Sequence, residues 1–168
     1  MKTLKGKSSQ KKNLVLICIL LVVIISAIIL LKPKYPNVNW TITFSSNLDQ
    51  PVEVTYADLA KMPQSELSKI LMEKTTSEDT IDSWSGPSLK EVIERIGADA
   101  NFAYMSVMAD DGYQAVLVPS DLEDAIFALK KDGEWIAETD MAHGPIRLVC
   151  PKTPANKWVY AIIEIKFT

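Results

Sequence analysis

His143-Gly144-Pro145-Ile146-Arg147-Leu148-Val149-Cys150-Pro151 is the stretch on which the fold turns. Glycine and proline open it, and a second proline closes it. The residues from Ile146 to Cys150 are apolar except for Arg147. A run that short, bounded by turn residues, reads as a buried strand. Arg147 stands inside it as a permanent cation. A guanidinium in such a place needs an anionic partner or a bidentate acceptor. One solution is an ion pair with a carboxylate of the chain. The functional solution is a clamp on an anion or phosphate. Cys150, at the end of the run, reads as a small core residue.

Two further strings precede this one. The first is Trp84-Ser85-Gly86-Pro87-Ser88-Leu89. Ser88 and Glu91 have the spacing of a capping box, and Leu89, Val92, Ile93 and Ile96 fall on one helical face before Gly97. The second is Asp111-Gly112-Tyr113, a turn between a strand over 102–109 and one over 113–118. Tyr113 would bring its hydroxyl to a loop end.

The remaining segments give an α+β pattern. Residues 40–44 alternate as a strand, 52–54 are a second, and Thr55 with Asp58 caps a short helix that Met62-Pro63 ends. Residues 66–74 suit either a helix or a strand, and 75–82 read as loop. Ser120 and Glu123 predict a second capping box, opening a helix with Leu122, Ala125, Ile126 and Leu129, and with Lys130 and Lys131 at its C-terminal end. Asp132-Gly133 is a turn. Residues 157–167 alternate, with Val159, Ala161, Ile163, Ile165 and Phe167 on one face. Strands and short helices without a βαβ period indicate an α+β domain.

The N-terminal part has a different character. Residues 14–31 form an uninterrupted apolar run without a charge, long enough to cross a bilayer core of about 30 Å. Five lysines precede it and two follow closely. That asymmetry places the N-terminus in the cytoplasm and the remainder outside. The run exceeds the apolar core of a cleaved signal peptide, so it reads as a retained signal anchor. The organisation expected is a basic cytoplasmic tail over 1–13, a transmembrane helix over 14–31, a linker over 32–37 and a globular domain over 38–168. The expected location is the cell membrane, single-pass. Apolar side chains along the helix would also suit a membrane protein partner.

Charge divides the same way. Residues 1–34 hold seven lysines and no acid, leaving 11 of the 18 basic residues and all 21 acidic ones in the rest, a net of −10. A domain so acidic is repelled by nucleic acid, whose binding depends on neutralising phosphates. Cys150 is the one cysteine after the apolar run, so no disulfide forms within the domain.

Several chemistries are excluded. His143 is the only histidine, and no Gly-x-Ser-x-Gly string accompanies it, so no hydrolase triad is readable. One His and one Cys cannot build a zinc site. No phosphate-binding glycine fingerprint is present. The acidic pairs Glu78-Asp79 and Asp110-Asp111 lack calcium-loop spacing.

Taken together, the strings resemble the oxidoreductase molybdopterin-binding domain, the sulfite-oxidase-like family, in a small membrane-anchored single-domain form. The correspondence includes Tyr56-Ala57-Asp58-Leu59 with Met62-Pro63, then Trp84 to Leu89, Asp111-Gly112-Tyr113, and Gly144 to Pro151. Lys157-Trp158-Val159 before Ile163-Glu164-Ile165 completes it. The resemblance implies a β-rich mixed fold and a molybdopterin cofactor. Arg147 and His143 would hold the pterin phosphate, and Tyr113 would line the pocket. It also implies a cysteine thiolate on molybdenum, in the segment upstream of the Trp-x-Gly string. Here that segment, 64–83, contains no cysteine. Thr75, Thr76, Ser77 and Ser83 offer only hydroxyls, which do not replace a thiolate. A net charge of −10 also disfavours an anionic cofactor. No catalytic residue and no metal ligand is therefore assigned. The expectation is a non-catalytic binding or interaction module, with a molybdopterin-dependent oxidoreductase or redox subunit as the alternative.

Overall fold

The computed structural model describes residues 35–45, 50–74 and 77–168, with 13, 14, 16–18, 20 and 21. The chain separates into two compact units, Met1–Lys34 and Tyr35–Thr168. All of the basic tail over 1–13 except residue 13, and most of the run over 14–31, lie outside the described residues. Those described between 13 and 21 are helical. No helix among the described residues is long and apolar enough to cross a membrane.

The second unit is built on a five-stranded sheet. β1 (Thr41–Ser45) runs antiparallel to β2 (Val52–Thr55) and parallel to the last strand, β11 (Ile162–Phe167). β5 (Met105–Ala109) pairs with the other edge of β11, and β6 (Gln114–Leu117) completes the order β2-β1-β11-β5-β6. The inward residues alternate as a half-buried sheet requires: Ile42 and Phe44, then Met105, Val107 and Ala109, then Ala115 and Leu117. Gly112, at φ +85°, makes the tight turn from β5 to β6.

A second sheet has the order β3-β4-β8-β9. β3 (Ser65–Met72) and β4 (Thr80–Gly86) form a long antiparallel hairpin. This settles 66–72 as strand, with 73 and 74 beyond its end, and residues 80–82, expected as loop, are strand as well. A bulge lies between Leu67 and Ile70, where Lys69 takes φ +55°. β8 (Lys130–Lys131) and β9 (Glu134–Trp135) are joined by Asp132-Gly133, both at positive φ as a two-residue I′ turn needs.

Three helices are short. α1 (Tyr56–Lys61) carries the full capping box of Thr55 and Asp58. α2 (Leu89–Ile96) starts where Ser88 Oγ accepts from the Glu91 N–H and stops at Gly97, φ +71°. α3 (Ile136–Thr139) is a single turn.

The helix expected from Ser120 to Leu129 does not form. Asp121, not Ser120, caps the segment: its carboxylate accepts from the Val118 N–H at 3.2 Å and closes a 3₁₀ turn over Pro119–Leu122. Asp124 then turns to φ +58°, which no α-helix propagates. Ala125 to Leu129 are all buried, so the run has no wet face. It is instead β7 (Ile126–Ala128), paired with β10 (Arg147–Val149). Lys130 and Lys131 consequently lie in a strand, not at a helix C-terminus.

The alternation expected over 157–167 also breaks. A bulge between Ile162 and Glu164 shifts the register, so Ile162, Ile165 and Phe167 are buried and Ile163 only partly. The core lies between the sheets. Phe44 meets the edge of Phe127 at 6.1 Å between ring centres and stacks on Phe167 at 6.4 Å.

Candidate functional site

Two glycines bring the site together. A Cβ on Gly86 would lie 1.9 Å from the Phe127 carbonyl oxygen. Only glycine lets the end of β4 press against the β7 backbone, where Phe127 N–H donates to Pro87 O at 2.9 Å and Leu129 N–H to Ser85 O at 2.9 Å. A Cβ on Gly144 would lie 2.5 Å from Ala161 Cα. Beyond that contact the chain 146–148 is bonded to 159–161, Ala161 N–H to Ile146 O at 3.0 Å and Leu148 N–H to Val159 O at 2.7 Å. The first approach delivers Trp84. The second delivers Arg147 and Tyr160, which face each other in an antiparallel bridge.

Arg147 sits between the two rings. Its guanidinium carbon is 5.5 Å from the centre of Trp84 and 5.5 Å from that of Tyr160. Ile146 and Leu148 beside it are fully buried. Among the described residues no carboxylate forms an ion pair with it. Burial lowers its pKa, opposed by the charges of Asp140, Tyr160 and Asp82. An arginine nevertheless stays protonated.

The neighbouring charges are already engaged. Lys131 Nζ is 3.2 Å from Asp82, a carboxylate only 8% exposed that also accepts from Thr80 Oγ1 at 2.7 Å. Lys131 also lies 5.4 Å from the Trp84 ring. His143 Nδ1 is 2.6 Å from Asp140 Oδ1, and its ring meets the Tyr160 ring edge-on at 5.4 Å. The Nε1–H of Trp84 is buried without an acceptor. An indole N–H left in that state costs about 1–3 kcal/mol unless something outside the protein accepts from it.

Two cavities meet at Arg147 and Tyr160. One of about 60 Å³ is bounded by Trp84, Lys131, Asp140, His143 and Gly144. The other, about 230 Å³, is bounded by Asp111, Tyr113, Asn156 and Trp158. Tyr113 is half exposed and is held there by its backbone N–H on Asp111 Oδ1 at 2.9 Å and by its hydroxyl, which donates to Asn156 O. Arg147, His143 and Tyr113 thus surround one cleft, with His143 and Tyr113 in different lobes. Larger depressions of about 580 Å³ beside α2 and about 290 Å³ beside α1 contain no orphaned donor and no half-buried, unpaired cation among the described residues.

Sequence reasoning missed Asp140, Lys131, Asp82 and Tyr160 as members of the site. Asp140 was within reach, because its three-residue spacing from His143 is that of one turn. Lys131 was hidden by the expected helix. Asp82 was hidden by the expected loop. Trp84 serves two purposes, walling the cleft and packing in the core, where it meets Trp158 edge-on at 6.2 Å.

Cys150 is fully buried, and its thiol is pushed up to about 12, first by burial and then by Asp121, against the pull of Lys157. It is a thiol, not a thiolate, at neutral pH. Trp158 Nε1 donates to its carbonyl at 2.8 Å.

A mixed, β-rich fold around such a cleft belongs to a recognisable class. Residues 31–168 match the model of the oxidoreductase molybdopterin binding domain, and the chain is a member of that family. Its structure is similar to the crystal structure of the sulfane dehydrogenase SoxCD from Paracoccus pantotrophus, with a TM-score of 0.65 and 15% identity. The match covers 76% of this chain and 38% of that one, so this chain spans well under half of its length. At that identity the likeness concerns the fold alone. No curated protein matches the sequence.

The family implies a molybdenum-bearing pterin. A guanidinium that lines the cleft without an ion pair among the described residues fits an anionic group. The metal end does not fit. The 64–83 segment has no cysteine, and Ser83 Oγ there is used to accept from the bulged Lys69 N–H at 3.2 Å. Thr75 and Thr76 lie outside the described residues. The one thiol of this unit is buried and protonated. Among the described residues no cluster of His, Cys, Asp and Glu has the geometry of a metal site.

Proposed function

We propose that this chain is a binding module of the family, which keeps the domain and its anion-recognising cleft but does not hold molybdenum through a cysteine thiolate. The observation that carries this reading is the state of Cys150. It is the only cysteine beyond the apolar run, it is fully buried, and its thiol is raised to about 12. A soft metal needs a thiolate. The module is held at the cell membrane by the 14–31 segment as a single-pass anchor, with the N-terminus in the cytoplasm and the domain outside. That part rests on the apolar run and its lysine asymmetry. A membrane protein is its expected partner, and nucleic acid is not.

A second reading is favoured by Arg147. A half-buried cation without a carboxylate partner among the described residues is what a molybdopterin-dependent oxidoreductase or redox subunit would need for its cofactor. Arg147 and His143 would hold the anionic end, Tyr113 would line the pocket, and the cofactor would supply the redox chemistry. The two readings separate on one measurement, the molybdenum content of the full chain made in a host that synthesises the cofactor. Near-zero metal on folded protein supports the binding module. One molybdenum per chain supports the oxidoreductase.

A further inference from the structure

The cleft at Arg147 has two lobes of opposite character. The smaller one is walled on one side by Trp84, which is only 2% exposed. Arg147 stands beside it, 5.5 Å from the indole centre and without an ion pair among the described residues. The larger lobe is walled by Tyr113, Trp158 and Tyr160, three aromatic side chains.

Size limits what can enter. The smaller lobe, about 60 Å³, equals the liquid volume of about two waters, enough for a carboxylate group. The larger lobe, about 230 Å³, takes a single ring. Both fall below the roughly 300 Å³ at which pockets for drug-sized ligands begin.

Charge limits it further. Lys131 is neutralised by Asp82, and Asp140 is bonded to His143. Arg147 is the cation left to meet a ligand. Asp140 in one lobe and Asp111 in the other would repel a second negative charge.

We infer that this cleft binds a small amphiphilic monoanion, a monocarboxylate of a single ring. Its carboxylate accepts from the Arg147 guanidinium, and its apolar body lies against Tyr113, Trp158 and Tyr160. The inference rests on the binding-module reading, because it requires a cleft free of a resident metal cofactor.

The test is isothermal titration of the full chain in detergent with cyclohexanecarboxylate, the neutral cyclohexanecarboxamide and phenyl phosphate. The carboxylate is expected to bind one per chain, about tenfold or more tighter than the amide, the difference a charge-assisted pair provides. Arg147→Ala should weaken it about tenfold and Arg147→Lys less, since the ammonium keeps the charge but loses the fork. Equal affinity for acid and amide overturns the inference. So does undiminished binding by Arg147→Ala, or tighter binding of the phosphate than of the carboxylate. Molybdenum measured on the same preparation keeps the two ideas apart. Metal-free protein that ignores the carboxylate sinks this inference alone. Stoichiometric molybdenum sinks the reading beneath it.

Discussion

The Arg147 guanidinium and the Trp84 indole lie 5.5 Å apart, and no carboxylate closes an ion pair across them among the described residues. That relationship separates a charge kept for a ligand from a charge kept for stability. Breaking a buried ion pair by removing one partner costs about 3–5 kcal/mol, whereas a cation over a ring contributes about 0.5–2 kcal/mol. Arg147→Met retains most of the volume. It should therefore lower stability by no more than about 2 kcal/mol, measured by urea unfolding. A loss in the ion-pair range would show that Arg147 is structural.

Gly86 is the position least able to change. Its added Cβ would meet backbone, 1.9 Å from the Phe127 oxygen and 2.9 Å from Ala128 Cα, and backbone cannot rotate aside. Gly86→Ala should force β4 away from β7 and cost about 3 kcal/mol or more, beyond the ordinary range for a surface change. A thermal midpoint within a degree of the parent would contradict the close approach.

Much of this was legible in the residues, and the failures have physical causes. The stretch 146–150 was readable because a short apolar run between prolines has few other solutions. α2 was readable because its cap, face and stop agree. Residues 120–129 misled because Ala125, Ile126 and Leu129 fit a helical face when the intervening residues are ignored. Phe127 and Ala128 are buried as well, and a run buried on every side is a strand here. Arg147, His143 and Tyr113 were legible as candidates, and they line one cleft. Of its remaining members, Asp140 lies one turn from His143, and the others come from β4, β8 and the turn after Val159, contacts of long sequence separation that no local pattern encodes. Gly86 and Gly144 make those contacts close, yet as letters they read only as turns.

Asp121 supplies a pH dependence. Its carboxyl is held below the usual range, chiefly by the hydrogen bond from Lys157 Nζ at 2.7 Å, with burial opposing and the Val118 N–H assisting. The folded pKa lies below the unfolded one, so the stabilisation is present above the unfolded value of about 3.9 and disappears as pH falls through the folded value. Asp121→Asn should therefore be less stable than the parent at pH 7, and the gap should shrink below about pH 4. Urea midpoints at both pH values measure it. A gap that widens in acid would refute the assignment.

Cys150 should resist alkylation. With its thiol at about 12 and its side chain fully buried, iodoacetamide at pH 8 should leave it unmodified in folded protein. In urea it should react as an ordinary thiol. Peptide mapping distinguishes it from Cys18. Rapid labelling of Cys150 in folded protein would mean an accessible thiolate at that position.

The central claim is that this member of the family holds its cleft without a thiolate-bound metal. The most direct test is molybdenum per folded chain, by mass spectrometry of the full protein purified from a cofactor-producing host. The account predicts a value near zero on protein with a cooperative unfolding transition. One molybdenum per chain would contradict it.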